Sequence, residues 1–349
     1  MKKKITAIFL ATVMCVMPGC VGASDGASAS SANGDVETVG ATEPGETSIE
    51  SLTAKRKGFT VKYKTVTLAD GYQINYSLKK DFTGAKTVTV KSNTQASKKI
   101  SSLEGGRKYY VRVRTYRKDG GENLYSDWSD TETVKTCKYL VAIDAGHQKT
   151  ANLELEPIGP GASQKKYKVA GGTYGRASDL AEYQLTLKVS KKLKKELVSR
   201  GYEVKMIRTK HDVNIPNSTR AIKANNWKAD AFIRLHADAA DSSSASGAMT
   251  ICQTSSNKWN KDLYSESYHF SKKVLKYYTK KTGIKSRGVW KTDSMSGINW
   301  CQVPVTILEM GFMTNTEEDL KMADSDFQKK MVVGMSNGID NYFKWLEKQ

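Results

Sequence analysis

Residues 139–147 read Tyr-Leu-Val-Ala-Ile-Asp-Ala-Gly-His, an apolar run of β-forming type that stops at Asp144, Ala145, Gly146 and a histidine. A run of this kind bounded by glycine is the pattern of a buried strand, as found in parallel sheets. Ligands of open α/β sheets bind just beyond the carboxyl ends of the strands, which is where His147 falls. Outward from this stretch, strand patterns recur at Glu203–Arg208, Ala231–His236, Ala248–Cys252 and Val305–Glu309. Helical patterns lie between them. Glu182–Ser199 puts Leu185, Val189, Leu193 and Leu197 on one stripe, with lysines elsewhere and Gly201 as a stop. A short helix capped by Asn217 carries Ala221 and Ile222, and longer helices are predicted from about Lys261 to Thr282 and from about Asp326 to Leu346. Strands alternating with helices predict an α/β domain over residues 138–349, a mostly parallel sheet flanked by helices.

The preceding segment, residues 51–137, has a different rhythm. Short period-two runs such as Phe59-Thr-Val-Lys-Tyr-Lys, Gly71-Tyr-Gln-Ile-Asn-Tyr and Tyr109-Tyr-Val-Arg-Val-Arg alternate apolar with polar residues, as half-buried strands of an all-β sandwich do. The GYQI run at Gly71, the YYVRVRTY strand and the YSDWS run at Tyr125 resemble a fibronectin type III domain, with Tyr63 where such domains often carry a tryptophan. That is a resemblance of fold, and a spacer is the function it implies. Residues 24–50 are Ser, Gly, Ala, Thr and acidic residues with almost no large apolar side chain, so a disordered linker is expected there.

Lys2, Lys3 and Lys4 followed by the apolar run Ile5–Met17 and small residues have the order of a secretory signal, residues 1–23. Met17-Pro18-Gly19-Cys20 is similar to a bacterial lipobox, which implies a lipid on Cys20; a plain signal cleaved near Ala23 or Ala27 is the alternative. The run is short for a bilayer span, and no other apolar stretch approaches the roughly 20 residues that spanning needs. A secreted or wall-bound protein is therefore expected, with membrane contact only through the lipid. The 55 Lys and Arg against 36 Asp and Glu give a formal charge of +19, which calls for a polyanionic neighbourhood. Export selects anionic wall polymers over nucleic acid. Of the five cysteines, Cys15 and Cys20 fall in the leader, so Cys137, Cys252 and Cys301 allow one disulfide at most.

Four residues carry the chemistry. His147, His236 and Glu309 end strands of the sheet, and Glu182 sits in the first turn of its helix, three residues before Leu185 and seven before Val189 on the inward stripe. Each has a plain reading: a structural histidine, a carboxylate complementing a helix dipole, a capping residue. Glu309, after Val-Thr-Ile-Leu in a buried strand, is the hardest to explain that way, since burying an unpaired charge is costly. Together, two imidazoles and two carboxylates on one rim suit a His2Glu zinc site with a separate carboxylate as base. Arg234 and Asn299 are candidate substrate-facing or supporting groups, with a structural ion pair as the alternative for Arg234; His211 and His269 read as solvent-facing.

The pieces IDAGH, AEYQLTLKVSKKLKKELVSRGYEV, Arg220 with AIKANN, ADAFIRLHAD, Arg287-Gly-Val and PVTILEMGFMTN occur in the order found in the zinc-dependent N-acetylmuramoyl-L-alanine amidases of the Amidase_3 class, which residues 140–343 resemble throughout. EPIGPGA at Glu156 and MSGINW at Met295 look like the subgroup common in clostridial and related Gram-positive bacteria. The resemblance implies zinc on His147, Glu182 and His236, Glu309 as the catalytic carboxylate, and peptidoglycan as substrate, cut between N-acetylmuramic acid and L-alanine. The family more usually has Pro at Ala145 and Gly-Gly at Gln148 and Lys149, so a differently shaped loop is expected after the first ligand. A zinc peptidase acting within stem peptides, or a non-catalytic wall-binding protein, would share the metal argument or the fold.

Overall fold

The computed structural model describes residues 42–349, so the leader, the lipobox at Cys20 and most of the linker lie outside the described residues. No helix among those described is long and apolar enough to cross a membrane.

The first half is all β. Its strands are β1 (Ile49–Lys55), β2 (Gly58–Tyr63), β3 (Gly71–Ser77), β4 (Lys86–Val90), β5 (Ser97–Ile100), β6 (Lys108–Asp119), β7 (Glu122–Tyr125) and β8 (Glu132–Lys135). One sheet runs β1-β2-β5; the other runs β4-β3-β6-β7, with β8 also paired to β6. The alternation read from the sequence decides which side chains go inside: Phe59, Val61, Tyr63, Tyr72, Ile74, Val111 and Val113, all fully buried, meet between the sheets. Ordered chain begins earlier than the composition suggested. β1 starts at Ile49, and before it Thr47 Oγ1 donates to Lys64 O at 2.6 Å while Gly45 O accepts from Thr115 Oγ1 at 2.7 Å.

The second half contains β9 (Leu140–Ala145), β10 (Asn152–Pro157), β11 (Lys165–Val169), α1 (Glu182–Ser199), β12 (Glu203–Met206), α2 (Asn217–Asn226), β13 (Ala231–Asp238), β14 (Ala248–Cys252), α3 (Tyr264–Thr282), β15 (Ser286–Lys291), α4 (Ser296–Asn299), β16 (Val305–Phe312), α5 (Thr316–Ala323) and α6 (Ser325–Leu346). Six strands form one sheet in the order β12-β9-β13-β16-β14-β15. The sheet is mostly parallel, as expected; the exception is β14, which runs antiparallel to β16, and the edge strand β15 then pairs with β14 in parallel. β9 is buried at every position, as its unbroken apolar pattern requires. The stripe Leu185, Val189, Leu193 and Leu197 of α1 packs with Phe270 and Val274 of α3 and Met335 and Ile339 of α6 on one face. Ala221 and Ala224 of α2 and Ile298 of α4 cover the other. Each fully buried Leu or Val contributes about 1.5–3 kcal/mol relative to exposure. β10 and β11 stand apart as a two-stranded ribbon.

Residues 43–349 form one compact unit. The sandwich joins the amino-terminal edge of the sheet, where Arg56 Nη1 donates to Asp230 Oδ2 at 3.0 Å and Arg56 N to Glu203 Oε2 at 2.6 Å. Cys137, Cys252 and Cys301 are buried free thiols, so none of the three uses the disulfide that the sequence allowed.

Candidate active site

Four side chains converge at the carboxyl end of the sheet. β9 delivers His147 just past its last residue, β13 carries His236, and β16 carries Glu309 level with His236. Glu182 comes from the first turn of α1, whose approach is pinned by Asp319: its Oδ2 accepts from Ala177 N and Ser178 N, and its Oδ1 from Ser178 Oγ.

Glu182 sits between the imidazoles. Its Oε2 is 3.2 Å from His147 Nε2 and its Oε1 is 3.1 Å from His236 Nδ1; backbone donors from Thr173 (3.1 Å) and Ala237 (3.0 Å) hold the carboxylate in place. His147 Nδ1 donates to Ala170 O at 2.8 Å, which fixes the tautomer and aims the Nε2 lone pair at the group. His147 does this from a left-handed backbone, φ 56°, a conformation that costs a β-carbon residue energy and persists where the surroundings over-determine it. The preceding Gly146 is sterically required: a β-carbon there would land on the His236 ring and Leu235 O.

The electrostatics follow from burial. Burial disfavours the Glu182 carboxylate, but the two histidines outweigh it and hold its pKa well below the usual range. For His147, burial opposes protonation and Glu182 with the Ala170 carbonyl outweighs it, so its pKa is raised. Burial dominates for His236, and with His147 nearby its pKa is lowered despite Glu182. Glu309 goes the other way: burial, then the charges of Glu182 and Asp238, push it far above the ordinary value.

The ligand atoms of His147, Glu182 and His236 all lie within 4.8 Å of one another, so the three can close on a single ion. Two imidazole nitrogens and a carboxylate oxygen form a donor set suited to zinc. A carboxylate merely shared by two histidines is the plain alternative. What separates the readings is Glu309, which lines the same cavity of about 790 Å³ and whose Oε2 is shielded with no hydrogen-bond partner. Buried polar atoms are nearly always paired, so an orphaned acid across a cavity from a convergent donor set is placed for something that enters.

Behind the rim lies a charge network only half visible in the sequence. Asp144, fully buried, takes Arg220 Nη1 at 2.8 Å on one oxygen and Arg234 Nε at 3.0 Å on the other. Arg220 Nη2 also donates to His147 O at 3.1 Å, tying the first histidine's backbone to the network. Arg234 is thus held in an ion pair while still lining the cavity. Asn217 is not the helix cap that was expected: Pro216 occupies the cap position, and the Asn217 side chain accepts from Arg234 Nη2 at 2.6 Å. Gly297 makes room for that guanidinium, since a β-carbon there would collide with Arg234 Nη1. Of the two roles open to Asn299, the structure shows the supporting one. It is fully buried, donates to Ile158 O and Asp293 O, and does not line the cavity. His211 is exposed, edge-on to Tyr183, whereas His269 is half-buried and stacked on Trp345 rather than solvent-facing.

The first residue after His147 fixes the loop that follows it. Gln148 is buried, accepting from Ile215 N and Arg220 Nη2 and donating to Thr150 O. The β10–β11 ribbon then walls one side of the cavity with Leu153, Leu155, Tyr167, Lys165 and Lys166. Leu153, Leu155 and Tyr167 remain 60%, 56% and 53% exposed and cluster on the cavity wall, as in a binding patch rather than as singly scattered apolar residues. The ribbon is anchored by Glu156 accepting from Ser218 N and Oγ, and by Trp259 Nε1 and Trp300 Nε1 donating to Pro160 O and Pro157 O.

An α/β domain whose strand ends gather two imidazoles and a carboxylate opposite a protonatable acid has the make-up of a metal-assisted hydrolase. Residues 141–341 match the N-acetylmuramoyl-L-alanine amidase family, Amidase_3, and the chain belongs to it. It is 27% identical over 195 residues to the probable cell wall amidase LytH of Staphylococcus epidermidis, a match covering 56% of this chain and 59% of that protein. To the N-acetylmuramoyl-L-alanine amidase LytC of Bacillus subtilis it is 25% identical over 165 residues, covering 47% of this chain and 32% of that one. The chain thus spans about three fifths, or less, of the length of these curated relatives. The crystal structure of the amidase Ami1 from Mycobacterium smegmatis superposes with a TM-score of 0.54 at 22% identity, over 60% of this chain and 98% of that one, a likeness of fold.

Proposed function

We propose that this protein is a secreted or wall-bound peptidoglycan hydrolase that cleaves the amide between N-acetylmuramic acid and the L-alanine of the stem peptide. The observation that carries this reading is the convergence of His147, Glu182 and His236 opposite the unpartnered acid of Glu309, inside a domain of the amidase family. His147, Glu182 and His236 would hold zinc. Zinc bound there supplies a Lewis acid that acidifies water and polarises a carbonyl. Beside a bound cation, whose charge offsets the neighbouring carboxylates, Glu309 would be ionised and would take the proton of the attacking water and return it to the leaving nitrogen of L-alanine. The Ala170 carbonyl keeps His147 in the metal-binding tautomer, and the Thr173 and Ala237 amides hold Glu182 ionised and oriented. Leu153, Leu155 and Tyr167 offer apolar surface to the substrate, while Lys165 and Lys166 offer charge to the carboxylates of an acidic stem peptide.

We assign residues 1–23 to a secretory signal, with a lipid on Cys20 or a plain cleavage near Ala23 or Ala27 as the two forms, residues 24–50 to a linker whose end merges into the first strand at Ile49, residues 51–137 to a fibronectin type III-like spacer, and residues 138–349 to the catalytic domain, of the clostridial-type subgroup. Anionic wall polymers are the further partner that a charge of +19 calls for. The test is mass spectrometry of fragments released from purified wall. Stem peptides with a free L-alanine amino terminus, alongside intact lactyl-bearing muramic acid, are expected; cuts inside the peptide would replace the amidase with a peptidase.

A further inference from the structure

Along the outer edge of the α/β domain, α3, β15 and the last turn of α6 enclose a groove of about 750 Å³ that shares no lining residue with the active-site cavity. Aromatic rings line it. Tyr268 stacks with Tyr264 at 5.6 Å between centroids, and His269 stacks with Trp345 at 3.9 Å. Its rim is cationic: Lys272 and Lys291 place their ammonium groups 5.4 and 5.8 Å from the centre of the Tyr268 ring, and Lys273 and Lys276 complete a set of four.

Lysines on a helix face are ordinarily just solvated. Three features set these apart. They surround a concavity instead of a convex face, they flank stacked rings, and no carboxylate lines the groove. Among the described residues none of the four makes an ion pair, so nothing on the protein offsets their charge. Four uncompensated ammonium groups repel one another until an anion joins them, and their spread along α3 and across to β15 suits a chain of anions better than a single one. An ammonium is a compact point charge that suits phosphate, and ring faces suit the apolar faces of the sugar or polyol units between charges.

We propose that this groove binds a phosphodiester-linked anionic polymer of the cell wall. The proposal rests on the wall being where the enzyme acts, and it adds a second contact with that surface. β15 is the edge strand, with Ser286 level with Ala248 and the neighbouring Met249 level with Glu309. The groove therefore begins beside the catalytic rim and runs down the flank, so a polymer held there leaves the cavity free.

The experiment uses the whole chain and two wall preparations, one untreated and one stripped of phosphodiester polymers by hydrofluoric acid. Binding is measured by co-sedimentation across a salt series, for the wild type, for K272E/K276E, and for K194E/K195E, which makes the same change of net charge on exposed positions of α1. Hydrolysis of stripped wall is measured in parallel. The wild type should bind untreated wall about tenfold more tightly than stripped wall at low salt. K272E/K276E should lose that advantage and hydrolyse stripped wall at the wild-type rate, while K194E/K195E keeps it. Undiminished binding by K272E/K276E, or equal loss by K194E/K195E, would overturn the groove. Equal wild-type binding to both walls would overturn the phosphodiester occupant in favour of peptidoglycan itself. Failure of the wild type to hydrolyse stripped wall would count against the amidase reading and leave the binding comparison standing.

Discussion

Replacing Asp144 with Asn removes one negative charge from between two buried guanidiniums while changing the shape of the site very little. In the native protein Arg220 and Arg234, 0% and 3% exposed, contact the two Asp144 oxygens at 2.8 and 3.0 Å. Removing one partner of a buried ion pair costs about 3–5 kcal/mol, because the other charge is left desolvated. Here two charges are left. Neutral acceptors soften the loss: Arg220 keeps Ile215 O, Ala145 O and Gln148 Oε1, and Arg234 keeps Asn217 Oδ1. The single-pair figure of about 3–5 kcal/mol is therefore a fair expectation, and for a domain of this size it corresponds to a fall in Tm of about 6–20 °C. Scanning calorimetry of chelator-treated protein would measure it without a metal contribution. The pH dependence has a definite sign. Burial alone would raise the pKa of Asp144, but Arg220 and Arg234 depress it far below the usual carboxylate range. Its stabilisation is therefore present above about pH 4 and lost as the pH falls through the depressed value, so the gap between wild type and variant should narrow in acid. A second substitution, Arg234→Met, should recover part of the loss, since it removes one of the stranded cations. A variant within 1 kcal/mol of wild type, or full additivity in the double variant, would refute this account of the network.

Glu309→Gln should lower the rate of wall hydrolysis by about 10²–10⁴-fold with zinc content unchanged, as measured by metal analysis of the purified protein; parallel loss of metal would instead make Glu309 a ligand. The raised pKa of Glu309 also predicts that metal-free wild type loses stability, relative to Glu309→Gln, as pH rises from about 4.3 towards the elevated native value, readable from melting curves. Changing Lys165 and Lys166 to Gln should raise KM about three- to tenfold with little change in kcat on acidic stem-peptide substrates; an unchanged KM would remove them from substrate binding. Burial pushes the thiols of Cys137 and Cys252 up to about 11 and that of Cys301 to about 12, so iodoacetamide at pH 8 should label none of the three in the folded protein and all of them after denaturation.

The parts of the site legible in the sequence were those set by periodicity. A strand that ends in a histidine, and a helix whose first turn puts Glu182 on the inward stripe, declare which way their side chains face: His147, His236 and Glu309 line one cavity, and Glu182 sits against both imidazoles. Partners across the fold are a different matter. Asp144 stands in the middle of the opening motif, and the cost of burying a lone charge, applied to Glu309, applied equally to it; the sequence does not say that Arg220 and Arg234 meet there. Asn217 misled because Asn is a favoured cap, whereas Pro216 takes that position and frees the amide for Arg234. The β10–β11 ribbon went unread because Asn152–Pro157 is short, charged and closed by proline, and β15 because it is an exposed edge strand with no apolar face to repeat. The antiparallel turn of β14 leaves no trace in composition.

The place where the sandwich is fastened has a bearing on reach. Arg56 grips Asp230 and Glu203 at the amino-terminal ends of the strands, and His147, His236 and Glu309 sit at the opposite ends. Strands β9, β13 and β16 are six to eight residues long. At about 3.3 Å per residue, the sheet alone separates the junction from the mouth by roughly 20–26 Å. On the reading proposed above, a partner bound to the sandwich at the far end of the sheet would sit at least that distance from the bond to be cut.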